Sequence, residues 1–72
     1  MNPEQLYDAA RSAQQSGNLM EAARLYREIL GKFASPEVMV NYANVLARLG
    51  RPAEALAQYD RAVKQKPDLF EA

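Results

Sequence analysis

Apolar and small side chains recur along this chain at intervals of three and four residues. One series comprises Leu6, Ala9, Ala10 and Ala13, and a longer one comprises Leu19, Ala22, Ala23, Tyr26, Ile29 and Leu30. Because an α-helix completes a turn every 3.6 residues, each series forms an apolar stripe on one side of a helix. The pattern predicts amphipathic helices, and helices joined by short turns form antiparallel hairpins.

Small polar residues, prolines and glycines delimit the first and third helices. Asn2 and Ser35 are favourable N-caps, and each is followed by a proline and a glutamate, which suit the first turn of a helix. Gly17 and Gly50 each supply a left-handed stop at the C-terminal end. The first helix is therefore predicted over about residues 3–16, and the third over about residues 36–49.

The second helix begins at a different kind of signal. Asn18 and Glu21 have the spacing of a capping box, which predicts a helix that begins near Leu19. Its end is predicted within residues 30–33. Gly31 lies there and either terminates the helix or weakens its last turn.

The whole arrangement repeats after 33 residues. The identical pairs are Pro3/Pro36, Glu4/Glu37, Ala10/Ala43, Gly17/Gly50, Glu21/Glu54, Ala22/Ala55 and Tyr26/Tyr59. Arg51 replaces the capping Asn18 and cannot accept a hydrogen bond, so a fourth helix is predicted to open at Pro52 without a side-chain cap and to stop before Pro67. A period of this length indicates stacked supersecondary units.

Composition narrows the function. The chain has 72 residues, nine Lys and Arg against nine Asp and Glu, and neither Cys nor His. A net charge of zero provides no global field to attract nucleic acid. Without Cys and His, the chain alone cannot assemble zinc sites, disulfides or Ser-His-Asp triads, so we expect no enzymatic activity, no metal and no cofactor. The longest run of uncharged, largely apolar residues, 38–47, is too short to span a membrane.

The second unit carries Gly50, Ala55, Tyr59, Ala62 and Pro67 at spacings that resemble the tetratricopeptide repeat, a helix-turn-helix of about 34 residues. The resemblance implies an all-α fold of two stacked antiparallel helix-turn-helix repeats, about four helices plus a short fifth turn. It implies a single domain over residues 1–72. Repeat one would cover about residues 3–35, repeat two about 36–69, and a truncated third repeat would start at about 68.

The same resemblance implies a concave groove, lined by the first helix of each repeat, that receives a peptide or protein segment. We define the groove face as Glu4, Tyr7, Asp8, Arg11, Gln14 and Gln15 with Glu37, Val40, Asn41, Asn44, Ala47 and Arg48. Five of these are the candidate binding residues: Tyr7, Arg11, Asn41, Asn44 and Arg48. An Asn amide can clamp a peptide backbone, and Arg can pair with acidic groups.

The asparagines and the arginines also have a purely structural interpretation. Either asparagine can bond a neighbouring helix or water, and each arginine can belong to a solvated face. Tyr26 and Tyr59 are predicted to pack between helices and are not site candidates.

The leading hypothesis is a non-catalytic, cytoplasmic protein-interaction module. The alternatives are the N-terminal, substrate-recruiting repeat region of a longer enzyme of the glycosyltransferase or sulfotransferase type, and a self-association module. The fourth helix has an apolar face too broad for one neighbour, so the chain is expected either to be a fragment of a longer repeat protein or to form a homodimer through this face. The expected contact residues are Leu56, Val63, Leu69 and Phe70.

Overall fold

The computed structural model describes residues 2–66. They form four helices, α1 (Pro3–Gln15), α2 (Leu19–Leu30), α3 (Pro36–Arg48) and α4 (Pro52–Gln65), and no strand occurs among them. The predicted all-α fold of helix-turn-helix repeats is confirmed. The fifth helical turn, predicted from about residue 68, lies outside the described residues.

Each helix packs against the next one in the chain: α1 against α2, α2 against α3, and α3 against α4. Repeat-related alanines belong to the core between the helices: Ala10, Ala22 and Ala43 are completely buried, and Ala55 is nearly so. Small side chains at these points let the helix axes come close together. Larger residues fill the space around them, and Tyr26, Met39, Val45 and Leu46 are the largest side chains that are fully buried.

The predicted ends of α1 and α3 are confirmed. Asn2 Oδ1 accepts from the Gln5 backbone N–H at 2.8 Å, and the Asn2 N–H donates to Gln5 Oε1 at 3.0 Å, which makes a reciprocal capping box. The Ser35 hydroxyl accepts from the Val38 N–H. Gly17 and Gly50 adopt φ values of 84° and 81°, the left-handed conformation that glycine reaches without a steric penalty.

The predicted capping box of α2 is wrong. Asn18 is the N-cap, but its side chain makes no capping hydrogen bond. Its backbone N–H donates to the Ala13 carbonyl at 2.8 Å and completes the C-terminal motif of α1. The Glu21 carboxylate binds Arg24 through Nε at 2.7 Å and Nη2 at 2.9 Å, so it is engaged outside the expected box. These bonds from Arg24 lower the pKa of Glu21.

The helix α2 ends at Leu30, immediately before Gly31. Gly31 is the C-cap, but its φ is −68°, within the right-handed region that any residue adopts. The helix therefore ends at this glycine without using its special conformational freedom. Within residues 2–66, none of the helices has the length and apolar character that crossing a bilayer requires.

Candidate functional site

The groove face lies on α1 and α3. Near the C-terminal ends of these helices, an open depression of about 330 Å³ is lined by Arg11, Gln14, Gln15, Asn41 and Arg48. Three of the five candidate residues, Arg11, Asn41 and Arg48, therefore share one depression. Asn44 is exposed on α3 and does not line it.

Tyr7 connects the two groove helices. Asn41 Nδ2 donates a hydrogen bond of 2.9 Å to the Tyr7 hydroxyl, across a sequence separation of 34 residues. The Arg11 guanidinium lies 5.7 Å from the centroid of the Tyr7 ring, within the range of a cation–π interaction. The ring also meets Tyr26 edge to face, with centroids 6.2 Å apart. Tyr7 is thus a half-buried support for the site residues and is itself only partly open to a partner.

Two further tyrosines bind amide side chains of a neighbouring helix. The Tyr26 hydroxyl donates to Gln14 Oε1 at 2.7 Å, which joins α2 to α1. The Tyr59 hydroxyl donates to Asn44 Oδ1, which joins α4 to α3. Tyr26 is completely buried, as predicted for a packing residue, and burial raises its pKa to about 12. Tyr59 is half-buried against the core.

Both asparagines therefore bond a neighbouring helix, which is the structural interpretation that the sequence had left open. This use does not exhaust either amide. A side-chain amide offers two N–H donors and a carbonyl that accepts two hydrogen bonds. Asn41 donates one N–H to Tyr7, which leaves its carbonyl and its second N–H available. Asn44 accepts one hydrogen bond from Tyr59, which leaves its NH₂ group available. Each amide is held in place by a tyrosine and retains groups that could bind a peptide backbone.

The arginines of the depression differ from the paired charges elsewhere. Ion pairs within residues 2–66 join Glu21 to Arg24, Asp60 to Lys64 and Glu37 to Lys66. Neither Arg11 nor Arg48 takes part in an ion pair there. Since both guanidinium groups are exposed, both can reach an incoming carboxylate.

A second depression opens at the other end of the groove helices. It has a volume of about 380 Å³ and is mainly apolar, with Tyr7, Ile29, Phe33 and Val38 among its lining residues. Phe33 follows α2 and keeps 48% of its surface exposed. Sequence reasoning placed Phe33 only as the outer limit of a helix and missed this depression, because a loop residue lies outside any helical period.

No group of three or more His, Cys, Asp or Glu side chains suited to a metal ion occurs in the part of the chain that the structure describes. Residues 7–69 match the family model described as Tetratricopeptide repeat. Searches of curated proteins and of solved structures found no match to this chain.

Proposed function

The chain belongs to the tetratricopeptide repeat family, and we propose that it binds a peptide or protein segment in the groove formed by α1 and α3. Repeats of this family are generally protein–protein interaction modules, and the fold is generally non-catalytic. The observation that carries the proposal is the depression in which three side-chain amides lie beside Arg11 and Arg48, two arginines that form no ion pair within residues 2–66.

The chemistry of this depression favours an extended segment that carries carboxylates. The free carbonyl and N–H of Asn41 match the N–H and C=O of a peptide backbone, and this recognition is independent of sequence. Arg11 and Arg48 add charge-assisted, bidentate contacts to acidic side chains or to a terminal carboxylate. Tyr7 holds both Asn41 and Arg11 in place, so the binding groups are ordered before the ligand arrives, which lowers the entropic cost of binding.

Fluorescence anisotropy with labelled synthetic peptides tests this proposal. An extended peptide with two aspartates should bind the wild-type chain, and Arg11→Gln combined with Arg48→Gln should raise Kd at least about fivefold, equivalent to about 1 kcal/mol at an exposed site. The control is Arg61→Gln, because Arg61 is exposed on α4 and its hydrogen bond within the described residues goes to Gln58 of the same helix. Equal losses in the double variant and in the control would reject the groove as the binding site.

Self-association is the second proposed function, and it is favoured by the outer side of α4. Leu56 is 67% exposed and Val63 is 40% exposed. The other two expected contact residues, Leu69 and Phe70, lie outside the described residues. If a second copy covers this side, sedimentation velocity should show a dimer that forms with rising concentration and is lost in Leu56→Glu. A wild-type chain that remains monomeric at every concentration would exclude the dimer.

A further inference from the structure

We propose that the chain has a second interaction surface, a cleft outside the groove that binds an acidic segment carrying one exposed apolar side chain. The cleft has a volume of about 270 Å³ and is formed by α2, by Tyr42 and the C-cap Leu49 of α3, and by the residue before α4. We call it the outer cleft. Its apolar part includes Met20, Ala23 and Leu49, and its rim carries Arg24, Arg27 and Arg51. It shares no residue with the α1/α3 depression.

The apolar part of the outer cleft is open to a partner. Met20 is 63% exposed, one of the most exposed large apolar side chains within residues 2–66, while Ala23 and Leu49 are half-buried. A thioether on an unbranched chain adapts to apolar groups of different shapes and is frequent at binding surfaces. This part of the cleft therefore suits an aliphatic or aromatic side chain.

The rim of the outer cleft is electropositive. No lining residue is acidic, and three are arginines. Glu21 neutralises Arg24 through two hydrogen bonds, and no ion pair within the described residues involves Arg27 or Arg51. Arg51 is also the N-cap of α4, so the partial positive charge of that helix end adds to the rim. Two guanidinium groups that lack an ion pair in this part of the chain, beside an apolar surface, are complementary to carboxylates that flank an apolar residue.

The same features argue for a peptide rather than a nucleic acid. Nucleic-acid affinity grows with the number of phosphates that cations neutralise. Within residues 2–66 the outer cleft offers two arginines without an ion pair, and the whole chain has no net charge. The aromatic lining residue of the outer cleft, Tyr42, is buried, so the exposed apolar surface is aliphatic and provides no stacking platform for bases. An acidic peptide with an apolar side chain can contact both the arginines and the apolar part of the outer cleft.

A labelled octapeptide tests the proposal, with one leucine between an aspartate and a glutamate in an otherwise Gly and Ser sequence. Binding is measured in a chain that already carries Arg11→Gln and Arg48→Gln, so that the groove contributes little. We expect saturable binding in this background and a Kd at least about fivefold higher when Arg27→Gln and Arg51→Gln are added. Met20→Ser in the protein, or serine for leucine in the peptide, should each weaken binding at least about threefold. All these side chains are exposed, and circular dichroism checks that the helices persist.

Several outcomes would overturn the outer cleft. One is the absence of binding in the groove-deficient background at peptide concentrations up to about 1 mM. A second is equal binding of a peptide with asparagine and glutamine in place of the acidic residues. A third is an unchanged Kd in the Arg27→Gln, Arg51→Gln chain. A fourth is a labelled single-stranded oligonucleotide that binds more tightly than the peptide and loses its affinity when Arg27→Gln and Arg51→Gln are introduced. None of these results bears on the groove, whose own test uses Arg11 and Arg48 in an otherwise native chain.

Discussion

The bond between Tyr7 and Asn41 makes the sharpest stability prediction, because it joins the first helices of the two repeats and involves two candidate binding residues. The perturbation is a double-mutant cycle of Tyr7→Phe, Asn41→Ala and their combination. Phenylalanine keeps the ring on which Arg11 and Tyr26 pack and removes only the hydroxyl. Alanine removes the amide donor.

The expected values follow from competing contributions. The hydrogen bond is partly buried, so its loss should lower the free energy of unfolding by about 1 kcal/mol. Tyr7→Phe should show this full cost. In Asn41→Ala the loss is offset by about 0.5 kcal/mol, because alanine is the better helix former. The single variant should therefore cost only about 0.5 kcal/mol. In the double variant the bond is lost once, so the coupling energy should be about 1 kcal/mol.

Urea denaturation followed by circular dichroism measures all four corners of the cycle. The matched control replaces Asn41→Ala with Asn44→Ala, since Asn44 bonds Tyr59 and not Tyr7. That second cycle should be additive to within about 0.3 kcal/mol. A Tyr7–Asn41 coupling as small as the control would refute the reasoning that this bond joins the repeats.

Three further predictions concern stability. Tyr26→Phe should lower the free energy of unfolding by about 1 kcal/mol, because it removes the bond to Gln14. The pKa of Tyr26 is raised from 10 to about 12 in the folded state, so the unfolded chain loses this proton first and the wild type should lose a further ~1 kcal/mol of stability between pH 9 and pH 11. Urea titrations at both pH values should show that the variant lacks this second loss. Gly50→Ala should lower the free energy of unfolding by about 1 kcal/mol, because Gly50 has a left-handed φ. Gly31→Ala should be neutral or stabilising, because the φ of Gly31 is −68°, and equal thermal midpoints of the two variants would contradict this. Tyr59→Ala should lower the free energy of unfolding in urea titrations by about 2 kcal/mol, less than the loss of a fully buried ring, because Tyr59 is half-buried. A loss above about 3 kcal/mol would mean that the ring is buried.

The helices were predictable because their signals are local. Proline, a capping side chain and a glycine each act on the backbone within one turn, so Asn2, Ser35, Gly17 and Gly50 could be interpreted from the sequence alone. The capping box of α2 failed although its signals are equally local, because two interactions within one turn compete for the same carboxylate. Glu21 has two competing partners, and a bidentate bond from Arg24 removes it from the box. Spacing alone does not rank such competitors.

The site was predictable as a face and not as a set of contacts. Helical spacing and the resemblance to a repeat family assigned Tyr7, Arg11, Asn41 and Arg48 to the groove helices. The structure brings Arg11, Asn41 and Arg48 into one depression, and Tyr7 contacts the first two of them. Which amide meets which tyrosine depends on side-chain rotamers and on the distance between helices from different repeats. The pattern of apolar positions along the helices specifies neither the rotamers nor that distance. Phe33 shows the same limit, because it lies between helices and has no period to reveal it.

Asn41 bonds Tyr7 and is also proposed to bind the peptide, and the substitution Asn41→Asp separates these two roles. A carboxylate can accept a hydrogen bond from the Tyr7 hydroxyl, so the bond between α1 and α3 should persist with its donor reversed. The aspartate also places a negative charge in the depression that Arg11 and Arg48 line, and it removes the amide donor available to a peptide carbonyl. Stability to urea should thus fall by less than about 1 kcal/mol, while the Kd for an acidic peptide rises at least about fivefold. A variant that loses stability but binds as well as the wild type would assign Asn41 a structural role alone.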